Sequence, residues 1–194
     1  MTTKKLTLMA ILTAIALIIF MIEAQIPLPI PVPGVKLGLA NTVTLFALFY
    51  GAGSRTGDGV VSHAKRETQH RPLSYTLTTA NAFAVLLARI ILGAVFTGRP
   101  IVIVYSLAGG LLAFAAQVVM RRFVSDKQIW VCGAVGAVFH NAGQLTAAVI
   151  ITGTPVIAAY LPVLIIAGVF TGVLTGFIAQ FTVGRLNKAD VKRV

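Results

Sequence analysis

The chain has 194 residues, of which 57% are hydrophobic and only 11% charged, and its mean hydropathy is +0.92. A soluble domain carries about 25% charged residues, so a surface wetted on every side is excluded. The formal net charge of +11 would suit nucleic acid in a soluble protein. Here the basic residues fall in short stretches between apolar runs, the pattern of cytoplasmic loops in a membrane protein, and no nucleic-acid partner is expected. With Cys132 as its one cysteine the chain has no intrachain disulfide and no cysteine-based metal site.

Six runs in chain order qualify as membrane spans, at about 6–22, 37–50, 76–96, 101–120, 129–151 and 156–181. The first, within MTTKKLTLMAILTAIALIIFMIEAQ, imitates a signal peptide, but its apolar stretch is longer than a usual signal core and further spans follow. It reads as a retained first helix. The second is short unless it begins in the proline-rich segment before it. No Asp, Glu, Lys or Arg occurs between Gln128 and Gly184, which makes the last two spans the clearest. The fold class expected is all-α: one polytopic helical bundle of about six transmembrane helices over 1–194, bathed in membrane lipid.

With the N-terminus inside, the inside segments hold Lys4 and Lys5, then Arg55, Lys65, Arg66 and Arg71, then Arg121, Arg122 and Lys127, then Arg185, Lys188, Lys192 and Arg193. The outside segments hold only Lys36 and Arg99. The asymmetry recurs at every inside loop and predicts a multi-pass cell-membrane protein with both termini cytoplasmic.

Two connections depart from simple linkers. The first outside loop, IPLPIPVPGVK, places Pro27, Pro29, Pro31 and Pro33 at alternate positions. Such spacing favours a stiff, extended backbone, suited to a plain connector or to the rim of an outward-facing site. The inside segment Gly53–Ser74 is polar, rich in Gly, Arg and His, and reads as a solvated loop in which His63 and His70 carry no assigned role.

Ionisable groups at membrane depth are costly and default to functional hypotheses. Glu23 and Gln25 close the outer end of the first span; Lys36 and Asn41 open the second. Arg89 lies roughly 20 Å along the third from its inner end, in the outer half. His140, Asn141 and Gln144 run from mid-depth into the outer half of the fifth, with His140 and Gln144 four apart on one face. Four spans thus bring polar groups to a similar depth. An outward-facing pocket lined or braced by Glu23, Lys36, Asn41, Arg89, His140, Asn141 and Gln144 is expected, cationic in balance and suited to an anionic or amphiphilic ligand. The competing readings are interhelical hydrogen bonds from Asn or Gln and a structural ion pair of Arg89 with Glu23. Small residues four apart, Ala10 with Ala14 and Gly168 with Gly172 and Gly176, suit close helix packing in the bundle or docking of another membrane subunit.

Autonomous chemistry has little support. GxxxxGK[ST], HExxH, GxSxG and CxxC are all missing. The five acidic residues lie more than four positions apart, leaving no aspartate-rich cluster to hold Mg²⁺ on a diphosphate. No catalytic residue, metal or cofactor is expected.

The strings PGVKLGLANTVTLFAL (Pro33–Leu48), ARIILG (Ala88–Gly93), SLAGGLL (Ser106–Leu112), GAVFHNAGQLTAA (Gly136–Ala148) and YLPVL (Tyr160–Leu164) together resemble one family across nearly the whole chain. Its members are labelled Gx transporters or heptaprenyl diphosphate synthase component I. The family is similar to the substrate-binding S components of energy-coupling factor (ECF) transporters. Those are six-helix proteins with an outward site, driven by a transmembrane coupling subunit and two ATPases. The resemblance implies a small ligand of the isoprenoid, quinone or vitamin-precursor class, captured from outside. It also implies that Ala10 and Ala14 dock the coupling subunit. The other label implies a non-catalytic membrane accessory of heptaprenyl diphosphate synthesis for quinones, assisting a soluble prenyl synthase. Gly53–Ser74 departs from the family, in which the second helix leads almost directly into ARIILG. It reads as an insertion or a disturbed reading frame, and the start of the third helix is where the expectation is weakest.

Overall fold

The computed structural model describes residues 3–26, 36–50 and 77–191, excluding the side chains of Asp126 and of 187–191. The proline-rich rim Pro27–Pro33 and the segment Gly53–Ser74, with His63 and His70, lie outside the described residues. Those described form helices and no strands: α1 (Thr3–Glu23), α2 (Asn41–Phe49), α3 (Thr79–Thr97), α4 (Ile101–Met120), α5 (Ile129–Thr152) and α6 (Leu161–Val191). Five stretches are long and apolar enough to cross a membrane, namely Thr3–Glu23, Thr79–Thr97, Ile101–Met120, Ile129–Thr152 and Pro155–Leu186. The chain is therefore a polytopic helical membrane protein.

The second expected span takes a different form. Hydropathy suggests 37–50, whereas the helix covers only Asn41–Phe49. Its nine residues rise about 13 Å, less than half of a hydrocarbon core of about 30 Å. Both limits have a backbone cause. Gly38 adopts a left-handed conformation with φ of 81°, and Tyr50 turns extended with ψ of 106°. Eight of the nine residues are buried, and α2 touches each of the other five helices. It is a short central helix wrapped by longer ones. Its apolar residues Val43, Leu45, Phe46, Leu48 and Phe49 pack with Leu12 and Ala16 of α1, Ala82 and Val85 of α3, Ile129 and Cys132 of α5, and Ala179 and Val183 of α6.

The other ends follow local chemistry. α3 starts at Thr79 because Thr78 caps it: the Asn81 amide N–H donates to the Thr78 hydroxyl, and the Asn81 side chain accepts from the Thr78 N–H at 3.0 Å. α3 and α5 stop at Gly98 and Gly153, both left-handed. A 3-10 turn over Pro155–Tyr160 leads into α6. The outward faces are apolar, with Val95, Ile150, Ile166 and Phe170 all more than two-thirds exposed. In a bilayer such faces are satisfied by lipid, whose tails are as apolar as they are.

α5 and α6 approach each other closely through glycine. A Cβ on Gly172 would lie 2.6 Å from the Gly133 carbonyl oxygen, and one on Gly176 would lie 2.5 Å from the Trp130 Cα. The Gly168/Gly172/Gly176 stripe thus packs inside the bundle. Ala10 and Ala14 differ: both are exposed on α1. Gly172→Leu forces the α5–α6 backbones apart and should cost about 1–3 kcal/mol of stability, read as a lower thermal unfolding midpoint in detergent. An unchanged midpoint would contradict this crossing.

Candidate functional site

In the stretch from Lys36 to Ala40 that enters α2, the carbonyls of Gly38, Leu39 and Ala40 accept from the Asn41, Thr42 and Val43 N–H groups, but its own amide N–H groups have no helical acceptor and at membrane depth need others. Two side chains from distant parts of the chain supply them. Glu23, the last residue of α1 and buried, accepts from the Gly38 N–H through Oε1. Gln144 of α5 accepts from the Lys36 N–H through Oε1 at 2.8 Å.

That second bond orients the Gln144 amide. Its Nε2 then lies 2.9 Å from His140 Nε2, one turn earlier on the same face. An amide nitrogen can only donate, so His140 Nε2 accepts, and the imidazole is neutral with its proton on Nδ1. That nitrogen faces α4, where a Cβ on Gly109 would lie 2.8 Å from it and 2.7 Å from Gln144 Cγ. Glycine at 109 is what lets α4 close on the pair.

Arg89 sits about 15 Å along α3 and is buried. Its Nη2 donates to Asn41 Oδ1 at 3.1 Å. A direct Arg89–Glu23 bond, the alternative, is not among the contacts of the described residues, and the guanidinium donates to Asn41 instead. The Lys36 ammonium sits 3.2 Å from the centroid of the Phe20 ring, a cation–π contact. Gly93 of α3 admits that ring, since a Cβ there would lie 2.7 Å from Phe20 Cε1.

Six of the seven expected residues are linked in this way at the end of the bundle where α1 finishes and α2 begins: Glu23, Lys36, Asn41, Arg89, His140 and Gln144. Asn141 is not among them. One residue on from His140 it is turned by about 100° around α5, and its Nδ2 donates to the Leu164 carbonyl of α6 at 2.7 Å. It clamps α5 to α6. Gln25 is exposed beyond the end of α1.

Several participants carried no separate signal in the sequence. Gly38 is needed twice: for its positive φ, and because a Cβ there would lie 2.6 Å from His140 Cδ2. Gly109 and the buried Ser106 lie in SLAGGLL, where only the small-residue run hinted at close approach. Thr44, buried and without a hydrogen-bond partner for its hydroxyl, follows Asn41 by one turn. Other buried side-chain atoms also have no partner: the donors Lys36 Nζ, Asn41 Nδ2, Arg89 Nε and the protonated His140 Nδ1 in the cluster, and the acceptors Asn141 Oδ1 of α5 and Gln180 Oε1 of α6 outside it.

Two substitutions check this geometry. Gln144→Leu strips acceptors from the Lys36 N–H and a donor from His140, and should cost about 1–3 kcal/mol. Gly38→Ala adds left-handed strain of about 1–2 kcal/mol to the clash with His140. Both should lower the thermal unfolding midpoint. A wild-type midpoint in either would show that the segment before α2 is held in some other way.

The family model described as heptaprenyl diphosphate synthase component I matches residues 12–56 and 73–182. The interval it skips, 57–72, lies within the Gly53–Ser74 segment singled out as a departure, while every residue of the polar cluster falls inside the matched parts. No curated protein and no solved structure matches. With most of its length covered by that match, the chain belongs to the heptaprenyl diphosphate synthase component I family.

Proposed function

We propose that this protein is a non-catalytic, membrane-embedded binding subunit, similar to an ECF transporter S component. Its polar cluster receives a small anionic, isoprenoid or vitamin-like ligand from outside. The observation that carries this reading is the convergence of buried polar side chains from α1, α3, α5 and the start of α2, with donors left over once the backbone is served. A purely structural network would be expected to use its own donors, because unpaired buried polar groups are costly. Basic residues crowd the opposite end of the bundle, at Lys4, Lys5, Arg121, Arg122 and Arg185, which supports placing that end in the cytoplasm and the cluster toward the outside. The exposed Ala10/Ala14 face of α1 is the proposed contact for a transmembrane coupling subunit and its ATPases.

The family description favours a second reading: a membrane accessory of heptaprenyl diphosphate synthesis that assists a soluble catalytic partner. Glu23 is the one acidic side chain described within the helical core, and the described residues hold no group of three or more metal-ligating side chains. Condensation chemistry would then belong to the partner.

Purification of the tagged chain from its own membranes separates the two readings. Recovery of ECF ATPases with a membrane coupling subunit, lost in Ala10→Leu/Ala14→Leu, supports the first. Recovery of a soluble DDxxD-containing synthase, with loss of chain elongation on deletion, supports the second. Under either reading native mass spectrometry should find a small molecule retained by the wild type and lost in Arg89→Gln. Equal retention by that variant would remove the cluster from the binding site.

A further inference from the structure

We propose that the ligand held by this cluster carries a single net negative charge, placed against Arg89, Lys36 and Asn41; this rests on the reading of the cluster as a ligand site. The first argument is the kind of atom left over. Lys36 Nζ, Arg89 Nε, Asn41 Nδ2 and the protonated His140 Nδ1 are buried donors without acceptors among the described residues, while the unpartnered acceptors Asn141 Oδ1 and Gln180 Oε1 belong to α5 and α6 outside the cluster. Two of them belong to side chains tied directly, since Arg89 donates to Asn41, and Lys36 is held at the same end of the bundle by its N–H on Gln144 and its ammonium on Phe20. A group that completes this set must bring acceptor oxygens.

The second argument is charge balance. Arg89 and Lys36 contribute two positive charges and Glu23 one negative charge, while His140 is neutral by its hydrogen bond from Gln144. The Glu23 carboxylate is also engaged by the backbone N–H of Gly38. One positive charge therefore stands in excess in a buried, low-dielectric setting, where uncompensated charge is expensive. A monoanion such as a carboxylate or a phosphodiester cancels it. A neutral molecule leaves it standing. A diphosphate overshoots it. Beside the donors, Phe20 packs with Ala40 and Val102, an apolar neighbourhood that suits a hydrocarbon body on the same ligand.

Geraniol, geranic acid and geranyl diphosphate share one prenyl body and differ in head-group charge. Their binding to the full-length protein in nanodiscs, measured by titration calorimetry against empty nanodiscs, tests the proposal. Geranate should bind at least about tenfold more tightly than either of the others. Arg89→Gln should reduce geranate to the level of geraniol. Glu23→Gln keeps an acceptor for Gly38 while removing a negative charge, and should move the preference toward the diphosphate. Far-ultraviolet circular dichroism establishes that each variant is folded. Tightest binding of geranyl diphosphate by the wild type, or equal binding of all three, overturns the charge assignment while leaving the cluster a binding site. Absence of binding by all three, together with no small molecule retained by the native protein, overturns the binding reading and this inference with it.

Discussion

The bundle depends on how the backbone just before α2 is satisfied. Lys36 and Gly38 present amide N–H groups where there is no helix to receive them, and Gln144 and Glu23 accept them from α5 and α1. An unmet amide in hydrocarbon costs several kcal/mol, so these few contacts decide whether a short central helix can exist there. Once the segment is held, α2 can be buried on nearly all sides and serve as the apolar centre of the other five helices. The same contacts orient the side chains that remain. Gln144, turned by its bond to Lys36, sets the His140 tautomer. Gly38, turned left-handed, leaves room for His140 and Asn41.

This arrangement divides the polar residues by task. Glu23 and Gln144 are occupied by the backbone, and Asn141 by the α5–α6 clamp at Leu164. Arg89, Lys36 and Asn41 keep donors without partners among the described residues. The proposed binding function therefore rests on fewer side chains than the count of buried polar groups suggests, and within the cluster the atoms that remain, His140 Nδ1 included, are donors. Under the proposed binding role the occupied residues still matter, because Glu23 and Gln144 hold the segment that carries Lys36. Loss of Gln144 should disturb the site through the backbone before it disturbs any ligand contact.

Much of this was legible in the sequence, for physical reasons that differ by element. The long helices are readable because about twenty apolar residues have few other stable settings, and the boundaries of α4 and α5 fall within a residue of those expected. α2 was misjudged in length because hydropathy measures whether a residue avoids water, and a short helix buried in protein avoids it as well as one facing lipid. Glu23, Lys36, Asn41, Arg89, His140 and Gln144 were found because polar groups at membrane depth are rare enough to be informative. What each does was beyond the sequence. The bond between Lys36 and Gln144 joins residues 108 positions apart, and it exists only because the backbone near Gly38 follows one path. Asn141 faced away from its neighbours because a single helical step turns a side chain by about 100°.

The most direct measurement is a cryo-EM map of the protein purified from its own membranes at a resolution that shows side chains. The account predicts compact non-protein density in hydrogen-bonding contact with Arg89 Nε, Lys36 Nζ and Asn41 Nδ2, with Glu23 and Gln144 still bonded to the backbone before α2. Density in which carbonyl oxygens of residues 27–35 occupy those three donors would contradict it, and would make the cluster a structural network.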